Sequence, residues 1–106
     1  MPEEEDKIYE MHANLCKMIA HPTRLKILDL LRDGEKTVTE LIDGTGESQP
    51  TISHHLSELR KRNIVESTRE GQNIFYEVSH EKVLKACDLI HEVLLERMNR
   101  LQELQK

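Results

Sequence analysis

The segment from Ser48 to Arg62 restricts the fold of this chain most strongly, because one helix must carry two very different faces. Ser48 can accept a hydrogen bond as the N-cap, and Pro50 is tolerated only in a first helical turn, so the helix should begin within a residue of Gln49. Its apolar residues recur at helical spacing and form one stripe, made of Ile52, Leu56 and Leu59. The stripe predicts a helix that packs on a protein core along one side.

The opposite face of this helix carries short hydrogen-bonding side chains, followed by a cation. The residues are Gln49, Thr51, Ser53, His54, Ser57 and Lys61. A helix exposed only to solvent favours Glu, Lys and Ala, whereas small polar side chains suit a helix that reads base edges in the DNA major groove. We therefore predict a DNA-binding helix in which these residues, together with Ser48, contact bases and phosphates. His55 lies beside the apolar stripe and is expected to pack against the core.

The charge of the chain is unevenly distributed, and the distribution matters more than the net value of −5. Residues 3–6 carry a charge of −4, whereas residues 48–73 carry a net charge of +1. A weakly basic patch of this kind can bind double-stranded DNA when dimerisation doubles it. Because only 3% of the residues are aromatic, the core of this single domain must be built from leucine, isoleucine, valine and methionine.

Several classes of function are disfavoured by what the sequence lacks. No apolar segment approaches the ~20 residues of a membrane span, and no signal-peptide pattern is present. We therefore expect a cytoplasmic protein without a membrane partner. The sequence contains no nucleophile placed beside a base and an orienting acid, so we do not expect an enzyme.

Turn and cap signals divide the chain into elements. Residues 1–6 are acidic and are expected to form a disordered arm, and residues 7–106 are expected to form the folded domain. Helices are predicted over about 7–20 and 23–32. Thr37 and Glu40 have the spacing of a capping box, which predicts a short third helix. A glycine-containing turn then joins that helix to the Ser48 helix, as in a helix-turn-helix.

After Asn63, a plausible helix cap, the apolar periodicity changes from helical to alternating. Two strands, 64–69 and 74–78, are predicted around a glycine turn, and they form a hairpin, or wing. Its tip carries Arg69, Gln72 and Asn73, which we predict to touch phosphates or the minor groove. Ser79 is expected to cap a last helix that ends near residue 105. The fold class is mainly α with a small β-hairpin (α+β), a winged helix-turn-helix.

The first and last helices carry apolar residues that a body of this size cannot cover alone. The last helix, about 25 residues long, spans roughly 37 Å and shows a coiled-coil-like seam. The residues predicted to form a homodimer interface are Ile8, Met11 and Leu15 of the first helix and Ile90, Leu94, Met98 and Leu101 of the last.

Two cysteines lie on the helices that are expected to meet at this interface. Cys16 is four residues after His12, and Cys87 is four residues before His91. Together the four side chains would give tetrahedral coordination for Zn(II) or another soft divalent ion. A Cys16–Cys87 disulfide formed by an oxidant is a second hypothesis. The third is that both cysteines are packing residues and sense nothing.

The order of elements and three motifs resemble the ArsR/SmtB family of dimeric winged-helix repressors. The motifs are AHPTRLKIL at 20–28, QPTISHHL at 49–56 and REGQNIFY at 69–76. The resemblance covers roughly residues 8–95 and implies a homodimer, a palindromic operator and repression that an inducer relieves. The family's thiol sensors carry a cysteine pair in the third helix, where this chain has none. Its zinc sensors place Asp and His two apart in the last helix, whereas Asp88 and His91 are three apart.

The sequence therefore predicts a DNA-binding transcriptional regulator, expected to be a repressor. The alternative is a winged-helix protein-interaction module, in which the same polar face meets a protein partner.

Overall fold

The computed structural model describes residues 2–105, and in that range the chain forms five helices and three short strands. The helices are α1 (Pro2–Ile19), α2 (Pro22–Leu30), α3 (Val38–Thr45), α4 (Gln49–Lys61) and α5 (Glu81–Leu104). The strands are β1 (Lys36–Thr37), β2 (Val65–Glu70) and β3 (Asn73–Val78), and a 3₁₀ turn over Leu31–Asp33 follows α2. This is the predicted order of elements, with one strand added.

The acidic start of the chain is helical, which corrects the prediction of a disordered arm over residues 1–6. Helix α1 begins at Pro2, and its first turn contains Glu3, Glu4 and Glu5. Negative side chains in a first turn complement the positive end of the helix macrodipole, so a composition typical of disorder here stabilises the start of a helix. Met1 lies outside the described residues.

Caps separate the helices where the sequence predicts them. The His21 side chain is the N-cap of α2 and accepts a hydrogen bond from the backbone N–H of Thr23 at 3.1 Å. At the start of α3, Oγ1 of Thr37 accepts from the N–H of Glu40 at 3.2 Å, and the Glu40 carboxylate accepts from the N–H of Thr37 at 3.1 Å. The capping box is thus confirmed. Asn63 takes a left-handed conformation, φ 59°, immediately after α4.

We expect Thr37→Ala to lower the free energy of unfolding by about 1 kcal/mol, because it removes the side-chain acceptor of the α3 cap. Urea denaturation with an unchanged m-value would measure the loss. Thr39→Ala is the matched control, since Thr39 is exposed within α3 and alanine favours a helix interior. Equal losses in the two variants would show that the cap is not the cause.

The wing is a three-stranded antiparallel sheet, not the two-stranded hairpin that the sequence predicts. Its strand order is β1-β3-β2. The hairpin pairs Val65 with Val78 and Glu70 with Asn73, and Gly71 has a φ of 64° in the turn between its strands. The added strand β1 pairs Lys36 with Tyr76 and Thr37 with Phe75. Because β1 leads directly into α3, the wing is joined to the helix-turn-helix.

The core is aliphatic, as the composition predicts. Its buried apolar side chains are Ile27, Leu28, Leu31, Leu41, Ile52, Leu56, Leu59, Ile64, Val65 and Leu84. They come from α2, the 3₁₀ turn, α3, α4, the start of the wing and α5. Helix α4 is therefore held against the body along one side.

The start of α5 differs from the prediction in its cap. The N-cap is His80, without a side-chain capping hydrogen bond, and not Ser79. The Ser79 backbone N–H donates to the carbonyl of Ile64 at 2.9 Å, which ties this residue to the end of the wing. Among the described residues, no helix is long and apolar enough to cross a bilayer.

Candidate nucleic-acid interface

Helix α4 has the buried apolar face and the exposed polar face that the sequence predicts. Ile52, Leu56 and Leu59 are each at most 1% exposed, and the predicted polar residues Gln49, Ser53, His54, Ser57 and Lys61 are exposed. His55 is 6% exposed and packs inward, which confirms the separate environments predicted for His54 and His55. The outward face of α4 is free to approach a flat or grooved partner. Its role in DNA binding stays a prediction at the level of single residues.

The two hydroxyls at the start of α4 bind one another. Ser48 is the N-cap and donates from Oγ to Oγ1 of Thr51 at 2.9 Å, while the Thr51 backbone N–H donates back to Ser48 Oγ at 3.4 Å. Thr51 is half-buried, and Ser48 is exposed. These side chains fix the helix start, so a base contact from either one would have to share a hydroxyl that already has a partner. Gln49 and Ser53 do not have this constraint.

The cations at the end of α4 are partly engaged within the protein. Nζ of Lys61 donates to the Glu58 carboxylate at 3.3 Å, and this ammonium holds the pKa of Glu58 below its ordinary value. Arg60 donates to the hydroxyl of Ser67 in β2 at 3.3 Å. Exposed pairs of this kind are weak, so Lys61 can exchange Glu58 for a phosphate at little cost.

The predicted wing residues Arg69, Gln72 and Asn73 are all exposed at the tip of the hairpin. Asn73 pairs with Glu70 at the closing position of the turn, and Arg69 pairs with Ile74. Arg69 therefore extends from the same end of the sheet as the turn. The tip presents one cation and two amides to a partner beside α4.

The predicted dimer residues are exposed in the single chain. Ile8, Met11 and Leu15 on α1 are 37–59% exposed, and Ile90, Leu94, Met98 and Leu101 on α5 are 48–59% exposed. Further exposed apolar residues accompany them, namely Tyr9, Leu89, Val93, Leu95 and Leu104. A cavity of about 530 Å³ is lined by residues of α1 and by the residue that follows α4, namely Ile8, Met11, His12, Asn14, Leu15 and Arg62. Apolar surface of this extent marks an interaction face.

The residues proposed for sensing are not gathered into a metal site by one protomer. Among residues 2–105, no group of three or more His, Cys, Asp or Glu side chains is placed to hold a metal ion. Cys16 is exposed and Cys87 is half-buried, and both are free thiols. Burial raises the pKa of the Cys87 thiol, and Asp88 adds to this rise against an opposing effect of Arg32. The metal site predicted from Cys16, Cys87, His12 and His91 at the dimer interface stays a prediction.

Asp88, which corresponds most closely to the acid of the zinc sensors, is already paired. Its two carboxylate oxygens accept from the Arg32 guanidinium at 2.6 and 2.9 Å, and Arg32 also donates to Asp29 at 3.1 Å. No local sequence pattern indicates this link between α5 and the 3₁₀ turn that follows α2. Arg24, in the first turn of α2, was not predicted to have a role either, and no local pattern singles it out.

Comparison with known proteins gives the same fold and a consistent set of relatives. The sequence profile of the bacterial regulatory proteins of the arsR family matches residues 21–67. An uncharacterized HTH-type transcriptional regulator of Methanocaldococcus jannaschii is 41% identical over 86 residues, which is 80% of this chain and 97% of that protein.

Two solved structures are similar over most of their length. The crystal structure of the transcriptional repressor BigR from Xylella fastidiosa has a TM-score of 0.77 and 34% identity, and the match covers 88% of this chain and 95% of that one. A homodimeric winged helix-turn-helix DNA-binding domain from Mycobacterium bovis has a TM-score of 0.79 and 31% identity, covering 91% and 89% respectively.

Proposed function

The chain belongs to the ArsR family of DNA-binding transcriptional regulators, and from this premise we propose that it is a repressor that binds a palindromic operator as a homodimer. One observation carries the proposal: α4 buries its aliphatic stripe and presents an exposed row of small polar side chains. Such a row suits hydrogen bonding to base edges. The exposed apolar faces of α1 and α5 support pairing of two protomers, which places two α4 helices on successive major grooves.

A gel-shift assay on the DNA upstream of the protein's own gene, repeated over a series of salt concentrations, tests this function. A repressor should retain that duplex selectively. A plot of log affinity against log salt concentration should have a slope of about −0.9 for each phosphate that the protein neutralises. A protein-interaction module would show weak retention that is independent of sequence. The relatives named as repressors do not favour that alternative.

We propose that the effector is an oxidant that acts on Cys16 and Cys87. A peroxide would oxidise the Cys16 thiolate to a sulfenic acid and be reduced to an alcohol or water, after which the Cys87 sulfur would displace water and close a disulfide. Support comes from the exposed free thiol of Cys16 on α1 and the half-buried free thiol of Cys87 on α5. A bond between these helices would constrain both dimerisation elements at once.

We expect Cys16 to be alkylated several-fold faster than Cys87 by iodoacetamide near neutral pH. Cys16 is exposed, while burial raises the pKa of Cys87 and reduces its thiolate fraction. Peptide mass spectrometry at short reaction times measures the two rates, and Cys16→Ser provides the matched control for Cys87. Faster labelling of Cys87 would contradict the assigned order, and thiols that stay free under peroxide would remove the oxidant proposal.

A further inference from the structure

Arg24 of α2 is bonded to two elements that have different roles in the proposed function. Its Nη1 donates to the backbone carbonyl of Met18 at 2.8 Å and contacts the Met18 sulfur at 2.8 Å. Its Nε donates to Nδ1 of His55 at 2.9 Å. Met18 lies in the last turn of α1, and His55 lies on the buried face of α4. One guanidinium thus connects the helix with the exposed apolar face to the helix with the polar face. We call Met18, Arg24 and His55 the Arg24 clasp.

The clasp requires one particular protonation state of His55. Because Nδ1 accepts the hydrogen bond from Arg24, it carries no proton, and the neutral ring holds its proton on Nε2. A second proton would have to bind Nδ1. It would replace the accepted hydrogen bond with two donors facing each other and would place an imidazolium beside a guanidinium.

The surroundings of His55 oppose its protonation from several sides. Burial lowers the pKa of His55, and His21, Arg24 and His54 lower it further, against a smaller opposing effect of Glu47. The His21 ring lies 4.5 Å and the His54 ring 5.7 Å from the His55 ring, measured between centroids. The folded protein therefore favours neutral His55, and folded-state stability falls as the pH drops below the ordinary value of 6.5.

We propose that Arg24 is a positioning residue for DNA binding, which fixes the recognition helix α4 relative to α1, and that protonation of His55 opens this clasp and loosens α4. The effect on DNA rests on the proposed function. The clasp itself is a property of a single protomer and can be measured without DNA. The regulator would then lose operator affinity as the pH falls, through a contact that does not touch DNA.

Amide hydrogen exchange of α4 in the DNA-free protein tests the clasp directly. His55→Gln keeps a neutral side chain with a carbonyl acceptor for Arg24 at every pH. We expect α4 of the wild type and of this variant to exchange alike near pH 7.5. Near pH 5.5 the wild type should exchange several-fold faster than the variant, because only its His55 ring can take up a second proton when α4 opens. His80→Gln is the control, because His80 is exposed at the start of α5; it should behave as the wild type does.

A second variant and a DNA measurement complete the test. In Arg24→Lys a compact ammonium replaces the planar fork and cannot span both acceptors, so α4 of this variant should exchange several-fold faster than α4 of the wild type at the same pH of 7.5. On a duplex selected from a randomised pool, the affinity of the wild type should fall relative to that of His55→Gln over the same pH range, by the fraction of protein in which α4 is no longer held in place.

The results test the Arg24 clasp and the proposed DNA-binding function separately. Identical exchange of wild type and His55→Gln at both pH values would overturn the clasp, whatever the DNA result. If His55→Gln does not fold, the test uses Arg24→Lys instead. An α4 exchange rate in that variant equal to the wild-type rate would also overturn the clasp. Failure to bind any selected duplex, with the exchange difference present, would overturn the proposed function and leave the clasp in place.

Discussion

Gln49→Ala and Ser53→Ala are each expected to reduce discrimination between the operator and single-base variants by about 1–3 kcal/mol at the base pair concerned, which is roughly five- to 150-fold. Both side chains are exposed on the outward face of α4. The structure records no side-chain hydrogen bond from either residue to the rest of the described chain, so both can bind base edges. Competition binding with a panel of variant duplexes at one salt concentration measures the loss.

The control for base reading is Lys61→Ala at the other end of the same helix. Its ammonium binds Glu58 at 3.3 Å and should exchange that partner for a phosphate. Removal should weaken binding to all duplexes alike and reduce the salt slope by about 1. If Gln49→Ala and Ser53→Ala instead weaken every duplex equally, this face does not read bases.

Leu94→Glu should separate the protomers of the proposed homodimer and lower the affinity for a full operator by about 100-fold or more, because linked binding of two half-sites is lost. Leu94 is 48% exposed in the single chain, and Ile90 and Met98 lie beside it on α5. In the proposed interface each added carboxylate would be buried among apolar side chains without a counter-charge. Native mass spectrometry measures the subunit number, and anisotropy titration measures the affinity.

The matched control is Asn99→Glu, which adds the same charge to the same helix. At about 100° per residue, Asn99 lies on a different face of α5 from Leu94, and it is exposed. This variant should remain dimeric and bind the operator with little change. Two results would show that α5 does not form the dimer interface. One is a wild type that is monomeric at working concentrations, and the other is a Leu94→Glu protein that stays dimeric.

Local signals account for the parts of the fold that sequence analysis predicted correctly. The serine cap and the proline in the first turn located the start of α4, and the stripe of Ile52, Leu56 and Leu59 identified its buried face. The capping box of Thr37 and Glu40 located α3. Each signal lies within a few residues of the structure that it specifies, so no knowledge of distant contacts is needed.

The errors and omissions depend on contacts between distant residues or on competing local effects. Strand β1 has only two residues, and it exists because Lys36 and Thr37 pair with β3 some 40 positions later. Arg24 and His55 are 31 positions apart, and no local pattern joins them. The acidic start was misread because the same glutamates that suggest disorder also stabilise a helix N-terminus.

Chemical interference on a selected duplex shows whether two copies of the polar face of α4 read successive major grooves. Diethyl pyrocarbonate modifies purine N7, an acceptor that faces the major groove. We expect two clusters of interfering purines whose centres lie about one helical turn, 10–10.5 base pairs, apart. A single cluster, or binding that tolerates N7 modification at every position, would contradict this expectation.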